Sequence, residues 1–242
     1  MDNAYPELER GVESVRDPLR RESADGRPQL KLTYTDRLEL PTTAMNGPKR
    51  LRIAITGASS TGKTTLTKAL MQDRRFSSLV DTMIPERART LLESLGYTSF
   101  DEMTRGELRD FQRQLFLLKR EEESIAESYL VDRSFVDMAA TWVERDTFDQ
   151  PLEVQNELVV PCRHQAKLYT LQFYLPAQFL PFAHNGVRES DLSLHTRIDM
   201  RIRHYLDDWE LPYISIRSTT LETRVSEVCT ELERRGLVTP QA

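Results

Sequence analysis

From residue 51 onward the chain alternates short apolar runs with longer stretches of helical period. The runs at 51–56, 79–84, 129–131, 168–175 and 212–216 are brief and rich in aliphatic and aromatic residues, as strands buried on both faces are. Helical patterns lie between them. One covers 65–71, and another covers 86–95 until Gly96 stops it. Thr104 and Glu107 form a capping-box pattern opening a long helix with Leu108, Phe111, Leu115, Leu118 and Ile125 on one apolar face. Ser134 and Asp137 repeat that box ahead of Met138, Ala139 and Trp142. The stretch 152–165 reads as a helix broken at Pro161, and 194–207 as a basic amphipathic helix. Thr219 and Glu222 open a last helix that runs to Arg235. This alternation predicts an α/β fold, a five-stranded parallel sheet with helices on both faces.

The first 49 residues break the pattern. They carry mixed charge, several prolines and little helical period, and read as an N-terminal arm preceding a domain at 50–242. Within the arm, 29–40 alternates in polarity and could form a hairpin turning at Asp36-Arg37; a partly disordered segment is the competing reading. At 39% hydrophobic and 29% charged residues the chain has the make-up of a soluble globular protein. No apolar run nears the roughly 20 residues of a membrane helix, and the acidic N-terminus lacks a signal core, as expected of a cytoplasmic protein. Cys162 and Cys229 stand far apart with no histidine cluster, so they read as reduced thiols. A net charge of −5 argues against broad affinity for nucleic acid and favours a small-molecule substrate.

The chemistry concentrates where the first strand ends. Gly57-Ala58-Ser59-Ser60-Thr61-Gly62-Lys63-Thr64-Thr65 fits the phosphate-loop pattern GxxxxGK[ST] between a strand and a helix. Its glycines let successive N–H groups turn inward onto phosphate oxygens, and the helix adds its positive end. Lys63 reaches the β- and γ-phosphates, and the Thr64 hydroxyl joins a Mg²⁺ shell. The four fixed positions alone would arise by chance in roughly one chain in a hundred of this length, before the flanking strand and helix are required. The sequence therefore predicts nucleoside triphosphate binding, with ATP and Mg²⁺ as ligands. By analogy with small P-loop kinases the sheet order is 2-3-1-4-5, with a lid after strand four.

The remaining motifs select among P-loop classes. A DxxG switch and an NKxD guanine reader are missing after residue 64, and so is a serine–glycine ABC signature. The third strand ends in Asp132-Arg133-Ser134 instead of an acidic pair. GASSTGKTTL, PERAR at 85–89, VDRSFVD at 131–137 and YLPAQFLPFAHNGVRESD at 174–191 resemble the NadR-type P-loop domain, over about 51–235. The family's usual Asp-Gly-x-Arg ahead of the lid arginine reads Asn185-Gly-Val-Arg188 here. The Asp-Arg-Ser element is also similar to deoxyribonucleoside kinases. The resemblance implies a kinase acting on a hydroxyl of a nucleoside-like acceptor, nicotinamide riboside first. Family members that bind nucleotide or lipid as regulators leave a regulatory protein with little kinase activity as the alternative, using ATP or GTP. A kinase for a modified nucleotide or a nucleic-acid end is a further one.

Five residues are the candidates for catalysis: Lys63, Glu86, Asp132, Arg133 and Arg188. Glu86 follows strand two at the sheet's carboxyl edge, where it could take a proton from the attacking hydroxyl or merely suit a helix dipole. Asp132 could hold Mg²⁺ beside Thr64, or cap a helix. Arg133 and Arg188 could clamp transferring phosphoryl oxygens, Arg188 on a lid hinged at Gly186. Asp137 reads as a capping acid or a substrate contact. Arg87, Arg89, Arg197, Arg201 and Arg203 read as assisting or surface cations, and Trp142 and Trp209 as core.

Overall fold

A computed structural model describes residues 20–22, 28–30, 50–179 and 192–237. The chain divides into two compact units, Met1–Pro41 and Thr42–Ala242. In the first, β1 (Arg20–Glu22) pairs antiparallel with β2 (Pro28–Leu30), Arg21 opposite Gln29. Gln29 and Leu30 are thus partnered by a strand upstream, and the expected turn at Asp36-Arg37 lies outside the described residues.

The second unit is built on β3 (Arg52–Thr56), whose Ile53, Ala54 and Ile55 have no exposed surface. Its flanking strands are β4 (Thr82–Ile84), β5 (Tyr129–Asp132), β6 (Leu171–Tyr174) and β7 (Tyr213–Ser215). All pair in parallel, in the spatial order β4-β5-β3-β6-β7. Counted within this unit that is 2-3-1-4-5, as expected.

The period-2 geometry of β3 divides the core. Ile53 and Ile55 face a layer formed by α1 (Lys63–Gln72) and α8 (Leu221–Arg234), through Leu66, Leu70 and Val228. Ala54 faces the opposite layer, reached by Phe116, Phe135, Trp142 and Ile202. That layer holds α4 (Arg105–Ile125), α5 (Phe135–Thr141), α6 (Leu152–Ala166) and α7 (Leu192–Asp208). Each large side chain withdrawn from water this way contributes about 1.5–3 kcal/mol before entropy is counted. The small residue at 54 lets the bulky second layer close over the strand that carries the phosphate loop.

Local signals behave as the sequence predicts at α4, where Thr104 and Glu107 make both bonds of the capping box. Three features differ. Ile125, expected on the apolar face of α4, is 78% exposed. The buried side of that helix runs Phe111, Gln112, Phe116, Lys119 and Glu123, so polar residues hold three of its five positions. Pro161 does not break α6, which is continuous through it. Helix α8 is capped by Thr220, whose side chain accepts from the Thr223 N–H, one residue later than read from the sequence. Two short helices complete the unit, α2 (Arg74–Ser77) and α3 (Ala88–Ser94). Cys162 and Cys229 are free and buried, and burial pushes the Cys229 thiol up to about 11. No helix among the described residues is long and apolar enough to cross a membrane.

Because the second unit carries its own two-layer core, a chain beginning at Pro48 is expected to fold alone. Thermal melting followed by circular dichroism should give a cooperative transition within a few degrees of the full chain, and a broad transition would move the boundary upstream.

Candidate functional site

The register of the sheet assembles the site. Ile55 lies opposite Asp132 on one side of β3, and Thr56 opposite Tyr174 on the other. The carboxyl ends of β3, β5 and β6 therefore meet at the turn into α1, where ligands bind in open α/β sheets. That turn requires glycine twice. Gly57 has φ +147°, and a Cβ there would stand 2.5 Å from the Leu175 carbonyl oxygen. Gly62, at φ 85° and ψ 17°, caps α1 in the left-handed region. Ser60 also has a positive φ, of 60°.

The loop is held from two sides. Asp137, 1% exposed, accepts from the Thr56 hydroxyl at 2.6 Å and the Gly57 N–H at 2.9 Å, and from the Ser134 N–H at 2.8 Å. It is thus more than a helix cap: it fastens α5 to the first residues of the phosphate loop. From the other layer Arg224 donates to the Thr61 carbonyl and to the Ser218 carbonyl, each at 2.8 Å. Burial draws its guanidinium pKa below the ordinary arginine value. Glu227 receives the Ser218 hydroxyl at 2.6 Å, so α8 holds the loop after β7 and the phosphate loop together. No sequence motif announced Arg224, because its partners are backbone carbonyls, one of them 163 residues away.

Inside the loop, Lys63 is buried, with its ammonium donating to the Ala58 carbonyl and lying 3.3 Å from the Thr61 hydroxyl. Ser59, Ser60 and Thr61 form the outer curve; Thr64 and Thr65 start α1 exposed. The Thr64 hydroxyl donates to Asp132 Oδ2 at 2.5 Å. Asp132 is 3% exposed, and its Oδ1 is buried without a hydrogen-bond partner among the described residues. A carboxylate oxygen left unpaired in a buried place fits a hard cation or its water shell.

Arg133 follows with φ +76°, a conformation disfavoured for a side chain with a Cβ. It is pinned by its N–H to the Ile55 carbonyl at 3.0 Å and by Lys119, whose ammonium donates to the Arg133 carbonyl at 2.7 Å. Lys119 pairs with Glu123 at 2.7 Å, and Glu123 also accepts from the phenols of Tyr129 at 2.8 Å and Tyr169 at 3.0 Å. Burial and the Glu123 charge push both phenols above the ordinary tyrosine value, so they stay protonated as donors.

Glu86 lies past β4 with Oε1 accepting from the Ala88 N–H at 2.9 Å. Arg87 is tied to Glu122 of α4 at 2.8 Å, and Arg89 is exposed. Arg197 and Arg201 both pair with the buried Glu144, at 3.3 and 2.7 Å, so the basic face of α7 is partly used in packing. Glu144 belongs to a π-helical turn, Trp142–Thr147, that extends α5 and that the sequence pattern did not reveal. Arg188 and the expected lid loop lie outside the described residues.

A cleft of about 560 Å³ is bordered at the phosphate loop by Ser59 and Thr64, while Lys63 is not among its lining residues. Thr64, Asp132, Arg133 and Asp137 line one part of it, with Glu86. Phe100, Phe111, Gln112, Thr141, Arg145 and Leu194 line the rest. A second cavity, of about 890 Å³, is bordered by Tyr174, Asp199, Arg203, Ser215 and Arg217, and shares His195 with the first.

A family model described as an AAA domain matches residues 52–224. No curated protein sequence gives a match. Among solved structures, NadR protein in complex with NR superposes with a TM-score of 0.59 at 16% identity, covering 80% of this chain and 52% of that one. NadR protein in complex with NAD and AMP-PNP gives the same score and identity, with 51% of its length covered. The chain thus spans about half the length of the structures it resembles.

The Asp137 tie has a measurable cost if cut. Asp137→Ala removes the acceptor of two buried N–H groups and two hydroxyls, and should lower unfolding free energy by about 3 kcal/mol or more in urea titrations. A loss below about 1 kcal/mol would mean that the four donors find other partners.

Proposed function

The chain belongs to the AAA-domain family, and from that premise we propose that it is a Mg²⁺–ATP-dependent kinase for a small nucleoside-like acceptor, nicotinamide riboside being the first to test. The observation that carries this reading is the shared cleft. A bare triphosphatase needs space only for phosphates and a water, whereas this cleft runs from Thr64 and Asp132 on to apolar walls at Phe100 and Phe111. Its volume, about 560 Å³, suits a second small molecule. The fold shared with NadR, crystallised with NR and with AMP-PNP, supports the same reading.

In this reading the loop amides of residues 58–64 and the Lys63 ammonium hold the β- and γ-phosphates, the Gly57 N–H being taken by Asp137. Thr64 and Asp132 are the residues that fit Mg²⁺, the unpaired Asp132 Oδ1 above all. Bound there, the ion would neutralise charge on the phosphate oxygens. Arg133, locked by Lys119, presents a guanidinium to the transferring group, and Arg188 is assigned the same task from its sequence position. The acceptor oxygen forms a bond to the γ-phosphorus while the bond to the β–γ bridging oxygen breaks, leaving ADP. The acceptor proton goes to Glu86, whose Oε1 is steadied by the Ala88 N–H. Positioning and charge stabilisation supply most of the acceleration.

The direct test is ADP release from purified protein with Mg²⁺–ATP and a panel of nucleosides including nicotinamide riboside. Stimulation by none of them would overturn the kinase reading in favour of a nucleotide-binding regulator. Lys63→Ala should abolish turnover and weaken ATP binding far more than adenosine binding.

The two carboxylates should separate in a Mg²⁺ titration. Asp132→Asn should raise the Mg²⁺ concentration for half-maximal rate, because an amide is a poorer ligand for a hard cation. Glu86→Gln should leave that midpoint alone and slow turnover roughly 10²–10⁴-fold. The opposite pattern would exchange their roles.

A further inference from the structure

Helix α7 is a wall of both cavities. Leu194 and Ile198 border the cleft, Thr196, Asp199 and Arg203 border the second cavity, and His195 borders both. Polar ties fasten this partition on each side. Toward the sheet, Asp199 accepts from the Tyr174 hydroxyl at 3.0 Å and the Ala177 N–H at 3.2 Å. Those donors stand where β6 ends, beside the phosphate loop: Tyr174 lies opposite Thr56, and the Leu175 carbonyl closes on Gly57. On its other side, Glu144 receives Arg201 at 2.7 Å on Oε1 and Arg197 at 3.3 Å on Oε2.

Glu144 is 7% exposed and borders neither cavity. Apolar side chains of like volume would join two helices as well or better than a buried carboxylate with two guanidiniums. Its place in the chain points to another task. Glu144 stands in the π-helical turn 142–147 and is followed by Arg145, which borders the cleft 4.8 Å from the centre of the Phe100 ring. Asp146, also buried, holds the Arg145 guanidinium at 2.7 Å. Neighbouring residues of one turn thus grip α7 and enter the cleft, and π-turns of this kind gather at functional sites. The turn is braced as well. The Thr147 hydroxyl donates to the Trp142 carbonyl at 2.9 Å, and the Gln155 amide donates to the Thr147 carbonyl at 3.1 Å.

We propose that Glu144 is a positioning residue that couples the two substrates: through Arg197 and Arg201 it makes the phosphate-loop side of α7 and the Arg145 end of the cleft order together. The inference rests on the kinase reading for the identity of the two ligands. Whichever ligand binds first meets the entropy cost of fixing α7 and the π-turn, and the second finds that wall already in place. The coupling is reciprocal, so each ligand tightens the other by the same factor.

The test reads that factor. Calorimetry gives the affinity for nicotinamide riboside, or for whichever nucleoside stimulates ADP release, with and without saturating Mg²⁺–AMP-PNP, in the unmodified protein and in Glu144→Gln. Bound nucleotide should tighten the acceptor roughly 5- to 150-fold in the unmodified protein and less than about twofold in Glu144→Gln. A residue that only supports the fold would weaken binding and leave the ratio unchanged, and that result would overturn the proposal. Hydrogen exchange needs no acceptor. Mg²⁺–AMP-PNP should slow exchange across 192–208 and 142–147 in the unmodified protein, and across 192–208 alone in Glu144→Gln. Equal protection of 142–147 in both proteins would likewise overturn it. If no nucleoside binds, loss of that protection in Glu144→Gln upholds the coupling and overturns the kinase reading. Failure to bind Mg²⁺–AMP-PNP would overturn both. Should Glu144→Gln melt early, Glu144→Met combined with Arg197→Leu and Arg201→Met removes all three charges and should show the same two losses.

Discussion

The carboxylate of Asp137 is the contact on which the geometry of the site depends. A parallel strand that ends in a phosphate loop must leave its ladder and curl, which exposes N–H groups and a hydroxyl in a place without water. Asp137 takes two of these from Thr56 and Gly57 and a third from its own helix start. With the Ser134 hydroxyl, one buried carboxylate is thereby satisfied by four donors, and the loop enters its curve held at its first residues. The Leu175 carbonyl, too near Gly57 to admit a Cβ, closes the other side of the same turn.

A second buried system holds the opposite rim. Glu123 gathers Lys119 and two phenols, and Lys119 passes the constraint to the carbonyl of Arg133. A left-handed backbone at a residue with a long side chain persists only when its surroundings over-determine it. Here two bonds from two different elements do so. The two systems share no residue, yet both end on β3: one at Thr56, the other through the Arg133 N–H at Ile55.

How much of this the sequence carried depended on the range of the interaction. The phosphate loop and the Thr104 and Ser134 boxes were legible because each is written in neighbouring residues, whereas the strand order came by analogy with small P-loop kinases. The role of Asp137 was half legible: the box with Ser134 could be read, but the bonds to Thr56 and Gly57 cross from α5 to β3. Arg224 left no local signature, since an arginine three residues into a helix looks like surface until its burial is known. The burial of Gln112 was hidden for a related reason. Helical period assigned apolar residues to the buried face of α4; Ile125 is exposed instead, Gln112 and Lys119 border the cleft, and Glu123 is buried by its bonds to Tyr129 and Tyr169. A helix that lines a binding space follows the chemistry of that space, and hydrophobic period misjudges it.

Arg224 also fixes an order in time. Thr61 leaves the ribosome 163 residues before the arginine that holds its carbonyl. During synthesis β3 can pair with β5 and then β6, but the phosphate loop lacks its rear support until α8 has emerged and docked against α1. A nascent chain carrying every residue of the phosphate-loop motif would therefore hold nucleotide poorly, and the final helix would act as the step that makes the protein competent. Ligand bound after that point stabilises only the finished fold, so nucleotide selects completed molecules over partial ones.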